Sequence, residues 1–249
     1  MIQVSELDSY LQQTLNFPPK QDYCPNGMQV GGTLEIKKVL TAVTASEAAI
    51  DAAIEWNADL LLVHHGLFWK SDEFRIVGMK KMRLKKILAA DLNIMAWHLP
   101  LDSHPVYGNN AQLGAKLGIR SLGTLLGDTT VMLGELESPM EAAEFALHLE
   151  KTLLRKPLHI GNSPRKIKRV GWSSGGAQKR LEQIALAGCD AYFTGEVSEE
   201  CYHVALEYGV HFFAAGHHAT EQYGVQALGT HLAEKFSLEH KYFDLANPV

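Results

Sequence analysis

Five residues distributed over both halves of the 249-residue chain pair imidazole with carboxylate in spacings that suit a divalent metal. They are His64 and His65 in HHG (64–66), Asp102 closing HLPLD (98–102), and His217 and Glu221 in HHATE (217–221). Imidazole nitrogen and carboxylate oxygen without thiolate suit zinc, iron, manganese or nickel. His217 and Glu221, four apart at a helix start, share a face and approach one ion together. Adjacent His64 and His65 on extended backbone point to opposite faces, an arrangement that serves two neighbouring ions better than one. Asp102 has the charge to bridge, which offsets the repulsion between two cations roughly 3.5 to 4 Å apart. The chemistry such a pair supports is metal-assisted hydrolysis, in which water is made acidic and a developing oxyanion is stabilised. Glu196 of TGE (194–196) is a candidate hydrogen-bond acceptor or general base, and His98 a candidate orienting residue or proton relay. His218 is a weaker alternative ligand. Any single histidine at a strand end is usually a hydrogen-bonded structural residue; the set as a whole carries the metal reading.

The elements that must position these residues show in the apolar pattern. From Val39 an apolar run (VLTAV), a turn, a helical period (EAAIDAAIEW) and a second apolar run (DLLLV) follow one another, the signature of parallel strands joined by crossover helices. Residues 39–63 align without a gap on residues 170–194, placing Asp59 on Asp190 and HHG on TGE. Each copy continues into another short strand, NIMAW or VHFFAAG, followed by a His-x-x-x-carboxylate stretch. The chain therefore reads as two similar α/β domains related by internal duplication, 1–126 and 127–249, with terminal segments free to cross over. Ligand residues fall beyond the carboxyl ends of strands, where open α/β sheets bind ligands. Between the copies, VMLGEL reads as a strand and SPMEAAEFALHLEKTLL as a helix opened by Ser138 and Pro139. At the start, Ser5 and Asp8 mark a helix running to about Leu15, and the loop after it holds Pro18, Pro19, Pro25 and several glycines. EHKYFD near the end reads as a last strand.

Other features weigh less. The turn GWSSGG (171–176) between strand and helix has the form of a phosphate cradle, though glycine is required at many such junctions. Asn109 in YGNN (107–110) is placed to cap a helix or touch substrate. Two basic runs, one from Lys80 to Lys86 and one from Arg165 to Arg169, read first as solvated surface. A formal charge of −5 gives no global attraction to nucleic acid or anionic lipid. Three cysteines at unrelated spacings argue against a disulfide framework or a thiolate zinc site. The absence of an apolar membrane-length segment or leader pattern makes the cytoplasm the expected location.

Taken as an ordered set, NGMQVGG (26–32), HHGLFW (64–69), HLPLD (98–102), GNN (108–110), TGE (194–196) and GHHATE (216–221) closely resemble the NIF3-like family, often labelled GTP cyclohydrolase 1 type 2 homologues. The resemblance spans nearly the whole chain and looks like the short form without an inserted domain. It implies two similar α/β domains with a dinuclear metal centre between them, and a toroidal homohexamer. By motif match the family's ligands fall on His64, His65, Asp102, His217 and Glu221. The expected function is a metal-dependent hydrolase of nucleotides or related heterocycles. A non-catalytic metal-binding assembly or metallochaperone, and a ring enclosing nucleic acid, are the alternatives.

Overall fold

The computed structural model describes residues 1–16 and 22–249; Pro18 and Pro19 lie outside the described residues. The chain is a mixed α/β protein whose residues group into two units, Met1–Gly108 with Gly224–Ala246, and Asn109–Tyr223 with Asn247–Val249.

In the first unit β1 (Ile2–Gln3) leads into α1 (Val4–Thr14). The helix starts one residue before the expected Ser5, from Gln3, and its cap makes no side-chain hydrogen bond, so the Ser5/Asp8 capping box does not form. Next come β2 (Gly27–Val30), β3 (Glu35–Ile36), which pairs with β1, and β4 (Lys38–Thr44). Then follow α2 (Glu47–Glu55), β5 (Leu60–His65), α3 (Gly78–Ala89), β6 (Asn93–Ala96) and the short α4 (Leu99–Ser103). Strands β4, β5 and β6 are parallel neighbours, flanked by the parallel C-terminal strand Glu239–Tyr242 and by antiparallel β2. Side-chain alternation along β5 explains its unbroken apolar run, because a strand covered on both faces needs apolar residues at every position. Leu60 and Leu62 pack with Leu7 and Leu11 of α1 and with Leu228, while Leu61 and Val63 pack with Ile50 of α2 and Ile87 of α3. Ser46 caps α2 by accepting from the Ala49 N–H at 3.1 Å.

The second unit opens with α5 (Asn109–Lys116) and the hairpin β7 (Arg120–Leu125) and β8 (Asp128–Met140). The expected helix start at Ser138 and Pro139 is displaced: both belong to β8, and α6 (Ala142–Leu153) begins from Glu141. A capping box decides the start, since the Glu144 carboxylate reaches back to the Glu141 N–H at 2.9 Å while the Glu141 side chain caps the first turn. Then follow β9 (Leu158–Ile160), β10 (Ile167–Trp172), α7 (Leu181–Leu186), β11 (Ala191–Thr194), α8 (Glu200–Tyr208), β12 (His211–Ala214) and α9 (His217–Phe236). The sheet order is β7-β8-β10-β11-β12-β9, with β10, β11 and β12 parallel. Phe193 and Phe213 pack with Phe145 of α6, and Tyr192 and Phe212 with Ile184 of α7 and Ala205 of α8.

The aligned aspartates do the same work in each unit. Asp59 Oδ2 accepts from the N–H groups of Lys37 and Lys38 at 2.7 and 2.9 Å, and Asp190 Oδ2 from those of Lys168 and Arg169 at 3.0 and 2.8 Å. Their backbones also match: the Asp59 carbonyl accepts from Asn93, and that of Asp190 from His211. Register then corrects one expectation. The Trp97 N–H donates to the Val63 carbonyl and the Ala215 N–H to that of Thr194, so His98 corresponds to Gly216, and Asp102 to Thr220. The two His-x-x-x-carboxylate stretches are therefore one residue out of step.

Because each of these aspartates pins the first residues of a central strand, Asp59→Ala and Asp190→Ala should each lower stability by roughly 1–3 kcal/mol. Urea unfolding checks this; midpoints matching wild type for both would show that the shared carboxylate contributes nothing.

Candidate metal centre

In the first unit the site residues gather at the carboxyl ends of β5 and β6. His64 ends the buried part of β5 and is fully buried. Its Nδ1 lies 2.9 Å from the carbonyl of Trp97. A carbonyl only accepts, so this bond places the proton on Nδ1 and turns the Nε2 lone pair outward. Nε2 faces Asp102 Oδ1 at 3.5 Å, with Asp102 buried in α4. His65 Nδ1 is 3.1 Å from the Thr44 hydroxyl. The two adjacent imidazoles do not point to opposite faces: their centroids are 4.6 Å apart, and both approach the His98 ring, at 5.1 and 5.7 Å. Both side chains turn toward His98, two residues beyond the end of β6, and strand alternation no longer separates them. His64, His65 and His98 each offer a ring nitrogen within 4.8 Å of the others, a group able to hold a metal ion.

His98 is held by a residue that the sequence did not single out. Asp22 Oδ1 is 2.6 Å from His98 Nδ1, and the same carboxylate accepts from the N–H groups of Tyr23 and Leu99 and from the Asn26 amide. Asn26 in turn accepts from the His98 N–H at 2.7 Å. Burial would raise the Asp22 carboxyl's pKa, but the hydrogen bonds from His98, Asn26 and Leu99 and the His98 charge outweigh it and hold it well below the usual carboxylate range.

In the second unit His217 and Glu221 occupy the first turn and a half of α9. His217 Nδ1 is 2.7 Å from Glu196 Oε1, and its Nε2 is 3.0 Å from Glu221 Oε2. Glu196 Oε2 also accepts from the Gln178 amide at 3.3 Å. Burial depresses the imidazole pKa, yet the two flanking carboxylates overcome this and raise it to about 9. The backbone N–H of the neighbouring His218 donates to the Val249 carbonyl. The glycine turn is not built as a phosphate cradle. Gly175 has φ +61°, and a Cβ there would collide with the Glu221 carboxylate and crowd His217, while one on Gly176 would crowd Glu196. The turn leads into the three-residue 3-10 helix Gln178–Arg180, and its glycines make room for site side chains. Asn110 organises this turn: its Oδ1 accepts from the Ser174 N–H and its amide donates to the Thr130 carbonyl.

The residues fit a metal. Each unit offers an imidazole whose Nδ1 is fixed by an acceptor and whose Nε2 faces a carboxylate, and a ligating histidine is commonly oriented by such an acceptor on its other nitrogen. Fold and donors together define a mixed α/β protein with histidine and carboxylate groups able to hold metal. The family model for Duf34/NIF3 (NGG1p interacting factor 3) matches residues 2–248. A Pseudomonas aeruginosa protein named GTP cyclohydrolase 1 type 2 homolog is 48% identical, covering 99% of this chain and 97% of its own. The solved structure of protein ybgI, described as of unknown function, superposes with a TM-score of 0.96 at 46% identity over 100% of both chains. That of TTHA1606 from Thermus thermophilus gives 0.89 at 34% identity, again over 100% of both. The chain belongs to the DUF34/NIF3 family.

Asp22→Ala should cost roughly 1–3 kcal/mol at pH 7, because it strands several buried donors. A carboxylate with a depressed folded pKa contributes fully above its unfolded value near 3.9 and loses that contribution as pH falls through the folded one. The stability gap between wild type and variant should therefore stay constant from pH 7 to 5 and narrow only in strong acid. A gap that closes by pH 5 would contradict the assignment.

Proposed function

We propose that the chain holds two divalent ions through His64, His65 and Asp102 of the first unit and His217 and Glu221 of the second. We further propose that it acts as a metal-dependent hydrolase on a nucleotide or related heterocycle. The observation that carries the reading is the anchoring of His64 and His217 at Nδ1, each with Nε2 turned toward a carboxylate. The matching roles of Asp59 and Asp190 support descent of the two units from one duplicated α/β half. The name of the Pseudomonas aeruginosa relative supports the substrate class. Zinc, iron, manganese and nickel all suit nitrogen and oxygen donors.

A bound pair of divalent ions supplies Lewis acidity, which acidifies water and polarises an electrophilic carbon or phosphorus. The chain's own groups do the rest. Glu196 keeps the His217 proton on Nδ1 and fixes the ring's direction. With Oε1 and Oε2 both engaged, Glu196 acts by orienting. His98, its Nδ1 held by Asp22, moves a proton at Nε2, the arrangement of an oriented general base. Three of the basic residues that a ring enclosing nucleic acid would use are paired within the chain, Lys86 with Glu47 and Asp51, Lys80 with Asp72, and Lys166 with Glu141, so the hydrolase is the reading preferred here. A homohexameric toroid and a cytoplasmic location belong to the proposal; the three buried free cysteines fit a reducing compartment.

Metal analysis of protein purified without chelator should find about two ions per chain, as a two-metal site requires. A screen of nucleotides and cyclic amides with each reconstituted metal should then yield turnover. Asp102→Ala and His217→Ala should lose metal and slow the best reaction by at least about a hundredfold. Full metal content in both variants would refute the ligands, and wild-type rates in both would refute the hydrolase. Metal retained by wild type with no turnover in the screen would favour a store or carrier.

A further inference from the structure

Within the second unit a cavity of about 450 Å³ opens beside Glu196, a size suited to a small molecule. Its wall divides by chemistry. Arg155 and Lys156, just beyond the end of α6, bring two cations to one side. Leu158 and Val197, apolar yet 53% and 41% exposed, and Ala214 form another. Arg155 lies against the backbone of Gly216, where φ is +100° and any Cβ would collide with the Arg155 side chain. Its Nε is buried with no hydrogen-bond partner, a donor whose cost calls for an acceptor. A second guanidinium nitrogen, Nη1, donates to the Pro248 carbonyl, and the His218 N–H donates to that of Val249 at 3.0 Å. Residues 247–249 thus bring acceptor oxygens to this pocket.

We propose that the cavity is a phosphate subsite for a nucleotide, taken by Arg155 and Lys156, with the apolar wall receiving the ribose or base and residues 247–249 forming a strap that competes for the same donors. A guanidinium presents its donors as a planar fork that matches phosphate oxygens, and the neighbouring ammonium adds a point charge. The Glu196 carboxylate repels an anion from its own side, so the phosphate sits at the Arg155 end and the less polar part of the ligand nearer Glu196. That the bound nucleotide is a substrate rests on the hydrolase reading; the anion binding does not.

Calorimetric titration of the full chain with inorganic phosphate and with GMP, before and after chelator treatment, tests the assignment independently of turnover. GMP should bind at least about tenfold more tightly than phosphate, and chelation should leave both affinities in place. Arg155→Gln and Lys156→Gln should each weaken both by about tenfold, the loss of roughly one charge-assisted hydrogen bond. Lys156 is exposed, so its variant remains informative if Arg155→Gln fails to fold. Removing residues 247–249 should tighten binding; equal or weaker binding overturns the strap. No phosphate binding by wild type, full binding by the Lys156 variant, or binding lost on chelation, which would put the anion on the metal, overturns the subsite. Equal affinity for phosphate and GMP overturns the nucleotide.

Discussion

The fixing of imidazole rings through Nδ1 is the interaction on which the rest of the site depends. A neutral histidine has one donor and one acceptor nitrogen, and an acceptor placed at Nδ1 decides which is which. In the first unit the Trp97 carbonyl does this for His64 and the Asp22 carboxylate for His98; in the second, Glu196 holds the Nδ1–H of His217 and so fixes the direction of that ring. The Trp97 carbonyl is available because the chain leaves the ladder there. The Trp97 N–H still pairs with β5, and α4 begins two residues later, so the carbonyl projects toward the neighbouring strand's last histidines. Strand ends in a parallel sheet are where backbone groups change from ladder partners to ligand-orienting groups.

This constraint accounts for the local backbone. Asp22 gathers a loop of residues 22–26 under His98 and α4, so one carboxylate sets both the ring's tautomer and the path of the chain beneath it. In the second unit the equivalent economy is achieved with glycine. Bringing Glu221, His217 and Glu196 close to the turn after β10 requires that turn to lack side chains, and Gly175 and Gly176 supply that. A glycine-rich turn between strand and helix has two uses, to admit a phosphate or to admit the protein's own carboxylates, and composition alone does not distinguish them.

Much of the fold was legible because the central strands are covered on both faces and carry near-continuous apolar runs, and because Asp59 and Asp190 repeat at one offset. The five proposed ligands stood out as imidazole and carboxylate at strand ends. Asp22 did not, since its role lies in backbone N–H groups that leave no mark on side-chain spacing. The Trp97 carbonyl is hidden for the same reason, and Gln178 because its side-chain amide reaches Glu196 across 18 residues of sequence. The one-residue offset between HLPLD and HHATE was invisible because similar His-x-x-x-carboxylate spacing in both copies suggested a register that only the strand ladder could correct. The start of α6 was misplaced because Ser138-Pro139 resembles a helix opening, whereas the Glu141/Glu144 box completes the cap three residues later.

The charge arrangement in the second unit also explains how the fold tolerates its own donors. Glu196 and Glu221 flank one half-buried imidazole, and two carboxylates held this close to one ring repel each other, the more so because Glu221 is buried. With its pKa raised to about 9, the His217 ring is protonated at neutral pH, donates from Nδ1 to Glu196 and faces Glu221 with Nε2, so its charge offsets the two acids. The Nε2 proton lies between the ring and the Glu221 carboxylate, 3.0 Å from nitrogen to oxygen. A divalent ion taken up by this pair would have to displace the Nε2 proton, because imidazole ligates only as the neutral ring, so the same charge balance that steadies the turn would set the pH dependence of uptake.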